Sequence, residues 1–403
     1  MTEKYIPRCR IFLLDAEKFR TNLLVLFFDL PLQRETATRT ALLAEVLKKA
    51  DWQRTAKEAE TLYGALWDIS VVKKGDRQLL LFSLEFLKNV EAEKAIAFFR
   101  RLIWKREFDE TLVERQKEIL RKRLKSQRDQ KKAYVRKRIL EETAEGTAMA
   151  VSADGYEEEL DEISVRTLMA WYRKILEQEE VKVFFCGDMA EKNKIIALRK
   201  DFSGKVSCRK EVERGCPKNG PRFLQETARM EQARLAMGFW ADTETGARRA
   251  ALLLLNHLLG GSPDSSLFRK IREEAGLCYD VKSELEPMSP YLFVQAGITE
   301  KDAKKAGKMV LQCICQMKED GVSKEKLEQA KAYLLRSYEG MVDNPWAMVD
   351  FMAEQALQSR ELSTEKFLKQ IERTEKEDIE QALKHLELQV VYLLSGKEEF
   401  CGE

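Results

Sequence analysis

Apolar positions in this chain fall into two kinds of run. In Thr21 to Leu30 (TNLLVLFFDL) hydrophobic residues are nearly continuous over a strand's length, and Ile11-Phe12-Leu13-Leu14 is a second run of that kind. In Val90 to Trp104 they recur with the helical period, placing Ala92, Ala95, Ile96, Phe99, Leu102 and Ile103 on one face. Between these lie a helical stretch, Ala37 to Lys49, then Leu62-Tyr63-Gly64-Ala65 and a strand region reaching Leu79 to Leu84. A second helix starts near Phe108-Asp109-Glu110 and continues through Val113, Ile119 and Leu120.

The C-terminal half repeats that order. Leu235 to Trp240 reads as a strand, Ala247 to Leu259 as a helix, and Leu277 to Leu285 and Tyr291 to Ala296 as strands. A helix follows with Ala303, Ala306, Val310, Ile314 and Met317 on one face, and another begins near Val322-Ser323-Lys324-Glu325. The ends match as well, Val181 to Gly187 against Val390 to Gly396, at an offset of about 210 residues, the size of a domain. Seven elements in one order point to a duplication. The fold class expected is α+β, two homologous domains with helices packed on one face of a mostly antiparallel sheet. Lys200 to Phe223 is polar and holds Gly204, Gly215, Pro217, Gly220 and Pro221. This predicts an N-terminal domain over 1–196, a linker over 197–223 and a C-terminal domain over 224–403.

Composition narrows the function. At 403 residues the chain exceeds one ordinary core, and 44% hydrophobic with 34% charged residues is a globular balance. Seventy Lys and Arg nearly cancel 68 Asp and Glu, which gives no long-range pull toward nucleic acid or an anionic membrane. The basic run Arg115 to Arg128 is interleaved with Glu114 and Glu118 and lacks spaced aromatics, so it reads as a solvated helix face. No apolar run spans a bilayer and no secretory pattern opens the chain, so the cytoplasm is the expected location. Eight scattered cysteines show neither zinc-type nor disulfide-framework spacing.

Candidate chemistry is concentrated in Leu259 to Tyr279 (LGGSPDSSLFRKIREEAGLCY), where a glycine turn enters a short amphipathic helix that stops near Gly276 before a strand. Arg272 and Tyr279, seven positions apart across that break, can aim a guanidinium and a phenol at one point, a pairing suited to a carbonyl oxygen. Arg272 also reads as a surface arginine paired near Glu273 or with Glu284. Gly260 and Gly261 cap the preceding helix and are candidate substrate contacts. His257 sits in an apolar helix and reads as a core or cap residue, and His385 receives no role. No nucleophile, base and orienting group stand together, so a self-sufficient metal-free enzyme finds no support.

A duplicated α+β chain whose second half carries Leu-Gly-Gly, then Ser-x-Leu-Phe and finally Gly-Leu-x-Tyr resembles the pitrilysin/insulinase-type zinc peptidases. Their relatives include the mitochondrial processing peptidase and the cytochrome bc1 core proteins. Ser337 to Gln355 (SYEGMVDNPWAMVDFMAEQ) is a second family-like stretch. The resemblance implies a split active site. One subunit holds zinc through an inverted His-x-x-Glu-His helix and a later glutamate, and a C-terminal domain supplies an arginine and a tyrosine seven apart. Arg272 and Tyr279 match the second set. The first set is missing: the only histidines are His257 and His385. The equivalent helix, Thr36 to Lys49, has Ala41, Ala44 and Glu45 where His, Glu and His would stand, and Glu114 or Glu118 alone would make a poor zinc site.

The resemblance therefore implies a non-catalytic subunit with no cofactor of its own, zinc residing in a homologous partner and a peptide as the shared substrate. No nucleic acid or membrane partner is expected. Length, the Leu62 to Ala65 stretch and the missing motif resemble the non-catalytic member of a bacterial pair associated with aminopentanol modification of elongation factor P. The alternative is a catalytically inactive scaffold of the same fold that binds a peptide or protein without cleaving it.

Overall fold

The computed structural model describes residues 5–104, 107–207, 220–241, 246–358 and 364–396. The first half runs β1 (Tyr5–Pro7), β2 (Cys9–Asp15), β3 (Thr21–Pro31), α1 (Arg34–Lys49), α2 (Trp52–Thr61), β4 (Leu66–Lys74), β5 (Arg77–Leu87), α3 (Ala92–Trp104), α4 (Glu110–Ser126), α5 (Lys131–Thr143), α6 (Val165–Gln178), β6 (Glu180–Gly187), α7 (Lys192–Ile196) and β7 (Lys205–Ser207). The second runs β8 (Arg222–Thr227), β9 (Ala233–Trp240), α8 (Gly246–Asn256), β10 (Cys278–Leu285), β11 (Tyr291–Ile298), α9 (Ala303–Asp320), α10 (Lys324–Met341), α11 (Pro345–Leu357), α12 (Thr364–Arg373), α13 (Lys376–Lys384) and β12 (Glu387–Ser395).

Sheet order exposes the duplication directly. One five-stranded sheet is ordered β2-β6-β3-β5-β4 and the other β8-β12-β9-β11-β10. In each, the first pair is parallel and every other pair antiparallel. This is the expected α+β fold of two homologous domains.

The compact units do not follow the contiguous boundaries at 196 and 224. One unit combines Met1–Ser126, Val151–Val212 and Met341–Ser359; the other combines Gln127–Ala150, Glu213–Gly340 and Arg360–Glu403. Each half thus gives up one helix. The reason is that a central strand alternates and presents two faces, and both need cover. In β3, Leu24, Leu26, Phe28 and Leu30 join the core cluster with α1, α3 and α6. Val25, Phe27 and Asp29, also buried, turn the other way. That second face is covered by α11, which packs on β6 and β3. In the other unit, α5 brings Val135, Ile139 and Leu140 onto Ala236, Phe293 and Tyr392. The expectation of helices on one face misses these exchanged helices.

The expected linker is also partly structural. Leu198 and Phe202 are buried in the first unit's core, β7 pairs with β1, and β8 begins at Arg222; residues 208–219 lie outside the described set.

Charged groups fix α11 on its sheet. Lys74 Nζ lies 2.7 Å from Asp350 and 3.0 Å from Glu354. Burial works against the Lys74 charge, but Glu354 and then Asp350 outweigh it and raise its pKa. Arg10 donates to the Ala356 carbonyl at 3.2 Å. Beneath lies a buried network: Lys182, fully inaccessible, sits 2.6 Å from Asp29 and 3.0 Å from Glu180.

Candidate functional site

The second unit's edge strand β10 carries the site. Two π-helical segments precede it, His257–Gly261 at the end of α8 and Phe268–Glu274. The second closes with wide turns, Ala275 N–H to Lys270 O and Leu277 N–H to Ile271 O, and Gly276 takes a left-handed φ of 61° that frees the chain for β10. The predicted short helix is therefore present, wound more loosely than an α-helix.

Tyr279 occupies a β-bulge. Cys278 pairs with Ile298 and Asp280 with Gly297, so Tyr279 has no opposite residue on β11. An unpaired extra residue bends the strand and redirects its side chain. Tyr279 is 57% exposed. Asp280 pins the next position, 2.9 Å from Lys132 and 3.2 Å from Arg234. Burial pushes the Asp280 carboxyl up, but Lys132 and Arg234 together hold it below the usual carboxylate range.

Arg272 is exposed, with its guanidinium 4.5 Å from the centre of the Phe268 ring one turn back. Its alternative partner is committed elsewhere: Glu284 lies 2.9 Å from Lys282 and 3.5 Å from Arg136. Burial raises the Cys278 thiol pKa to about 11, Asp280 adds to this, and the Arg272 charge opposes it. Among the described residues neither Arg272 nor Tyr279 has a hydrogen-bond partner, so their donors remain available.

The two glycines differ. Gly260 is buried, and a Cβ there would stand 2.6 Å from Ser283 N on β10, so the close approach of turn and strand requires glycine. Gly261 is exposed. The imidazole of His257 stacks on Tyr333 with ring centroids 4.4 Å apart, and burial lowers its pKa against the opposing pull of Asp264.

The first repeat shows what the same scaffold looks like without these features. Gly64 has a left-handed φ of 75° two residues before β4, as Gly276 does before β10. Yet β4 pairs with β5 without a register break, and Trp67, in the place of Tyr279, packs on Trp52 at 5.2 Å and on the core. The bulge was invisible in the sequence, since its only signal is the local hydrogen-bond register.

On α1, Ala41 and Ala44 are buried methyl-bearing positions and Glu45 pairs with Arg123 of α4. Glu114 is held by Lys117 and Glu118 by Arg121. These side chains do not fit a zinc ion, and among the described residues no group of three or more His, Cys, Asp or Glu is placed to hold a metal. The basic run is likewise neutralised by carboxylates, Lys125 on Glu157 and Arg121 also on Asp161.

Residues 162–334 match the family described as the peptidase M16 inactive domain. Over 406 residues it is 26% identical to the "Probable inactive metalloprotease YmfF" of Bacillus subtilis (strain 168), covering 96% of this chain and 95% of that protein. Its fold is similar to that of a conserved protein from Enterococcus faecalis V583, with TM-score 0.88, 22% identity and coverage of 99% and 100% of the two chains. It is similar again to a peptidase M16 inactive domain from Pseudomonas fluorescens, with TM-score 0.83, 17% identity and full coverage of both. The chain is thus similar to inactive M16-type peptidases, the zinc-peptidase resemblance that its C-terminal motif implied. Among the described residues no helix is long and apolar enough to cross a membrane.

Proposed function

We propose that this chain is the non-catalytic subunit of a cytoplasmic heterodimeric zinc peptidase, paired with a homologue that carries the metal motif. Its contribution is Arg272 and Tyr279, which donate to the carbonyl oxygen of a peptide held in the partner's active site. One observation supports the reading: Tyr279 stands out on a bulge of the strand that follows the segment bearing the exposed Arg272, both with unsatisfied donors, in a chain whose degenerate metal helix is filled by Ala41, Ala44 and an ion-paired Glu45. A guanidinium and a phenol supply directed donors that strengthen as charge grows on a carbonyl oxygen. The association with aminopentanol modification of elongation factor P belongs to this proposal and rests on the sequence resemblance alone.

The test is co-expression with a His-x-x-Glu-His homologue from the same genome and an assay on unstructured peptides. Arg272→Ala or Tyr279→Phe should each lower kcat by on the order of a hundredfold, with the heterodimer intact. Unchanged turnover with an intact dimer would replace this reading with that of a peptide- or protein-binding scaffold.

A further inference from the structure

The second unit contains a cavity of about 660 Å³ between the two π-helical segments and the connection from α9 to α10. Four basic side chains line it, Arg269, Lys270, Lys326 and Arg336, against two acidic ones, Asp264 and Asp320. Elsewhere the basic residues are largely neutralised, as the run on α4 shows. Here they are not. Lys270 meets the neutral amide of Gln316, and Arg336 donates through Nε to the Ala332 carbonyl of its own helix at 3.0 Å. Lys326 and Arg336 have no carboxylate partner among the described residues. The N-terminus of α10 opens on the same space with Ser323 as its cap, adding partial positive charge.

The remaining lining is apolar and aromatic. Leu258, Met317 and Val322 supply aliphatic surface, and the exposed Tyr333 ring, backed by the stacked His257, offers a face. A ligand matched to this space has carboxylates and an apolar side chain on one short scaffold. The two aspartates favour a chain that also brings N–H donors.

We propose that this cavity binds an acidic peptide segment, with carboxylates on Lys326 and Arg336 and an apolar side chain against Tyr333 and Met317. The idea rests on the reading of the chain as a peptide-handling subunit and adds a substrate class to it. The test uses the purified full chain and a fluorescein-labelled peptide rich in Glu, Asp and Leu, followed by anisotropy. A matched peptide with Gln and Asn in place of the acids, inorganic phosphate and ATP serve as competitors.

Binding of the acidic peptide should weaken at least about tenfold in the Lys326→Gln/Arg336→Gln chain and in Tyr333→Ala, and should fall with added salt. Equal binding of the amide peptide, retention of affinity in both pocket variants, or displacement by phosphate or ATP in preference to the acidic peptide would each overturn the assignment. Pocket binding that persists while turnover of the heterodimer ignores Arg272 and Tyr279 would remove the functional proposal and leave this one standing.

Discussion

Replacing Gly297 with alanine tests how the bulge is held. A Cβ at Gly297 would lie 2.3 Å from Asp280 Oδ1, well inside van der Waals distance, with Arg234 Nη2 at 3.4 Å. The carboxylate would have to swing away from Lys132 and Arg234, now at 2.9 and 3.2 Å. Those pairs are partly open to solvent, so screening limits their loss to about 1–2 kcal/mol. Alanine in a strand gains roughly 0.5–1 kcal/mol over glycine. The net expectation for Gly297→Ala is a loss of about 0.5–1 kcal/mol. In an Asp280→Ala background the clash is gone, and the same change should stabilise by roughly 0.5–1 kcal/mol. Urea unfolding followed by circular dichroism of the four chains measures the cycle. Equal effects of Gly297→Ala in the two backgrounds would refute the reasoning. The pH sign is fixed too. Because the native Asp280 carboxyl lies below its unfolded value, its stabilisation is present above about pH 4 and fades as pH falls through the native value. Unfolding curves of wild type and Asp280→Ala should therefore converge in acid.

Three further outcomes follow from the packing. Lys182→Met removes the buried cation shared by Asp29 and Glu180, which keep Arg77 at 3.8 Å and Arg10 at 2.7 Å, and should lower stability by up to about 3–5 kcal/mol in thermal or denaturant melts; a loss under about 1 kcal/mol would contradict the network. Gly260→Ala puts a methyl against Ser283 N and should destabilise by about 1–3 kcal/mol in the same melts, while unchanged stability would show that turn and strand separate freely. Lys74→Met should destabilise near neutral pH and less so in alkali. The raised native pKa makes the Lys74 contribution complete below its unfolded value of about 10.4, and it is lost as pH climbs through the native one, which pH-dependent melts would show.

Much of the scaffold was legible because burial dictates it. The continuous run in β3 and the 3.6-residue period of α3 left no other assignment, and the matched order of elements revealed the duplication before any strand was paired. The exchanged helices were not legible. The apolar faces of α5 and α11 announce burial but not the sheet that buries them, which is a matter of long-range packing. β8, only six residues and half-buried at a sheet edge, was hidden in a polar stretch because edge strands need little hydrophobicity. At the candidate site, Arg272 and Tyr279 were singled out by their spacing. The bulge that turns Tyr279 outward depends on register, which side-chain chemistry encodes weakly at an edge.

The duplication supplies its own control on the meaning of that bulge. Both repeats have the same strand order, and both have a left-handed glycine two residues before the edge strand. A fold that needed the distortion would show it twice. Of these two edge strands β10 alone breaks register, and its Tyr279 is exposed, whereas Trp67 turns in toward Trp52 and the core. Seven positions before Trp67 the first repeat has the exposed Glu60, where the second has Arg272. An unpaired ladder residue and a solvated phenol contribute little to folding. A regular hairpin with a half-buried ring was available to the same architecture, as β4 demonstrates. The exposed donors of β10 are therefore better explained by something they bind than by the stability of the unit that presents them.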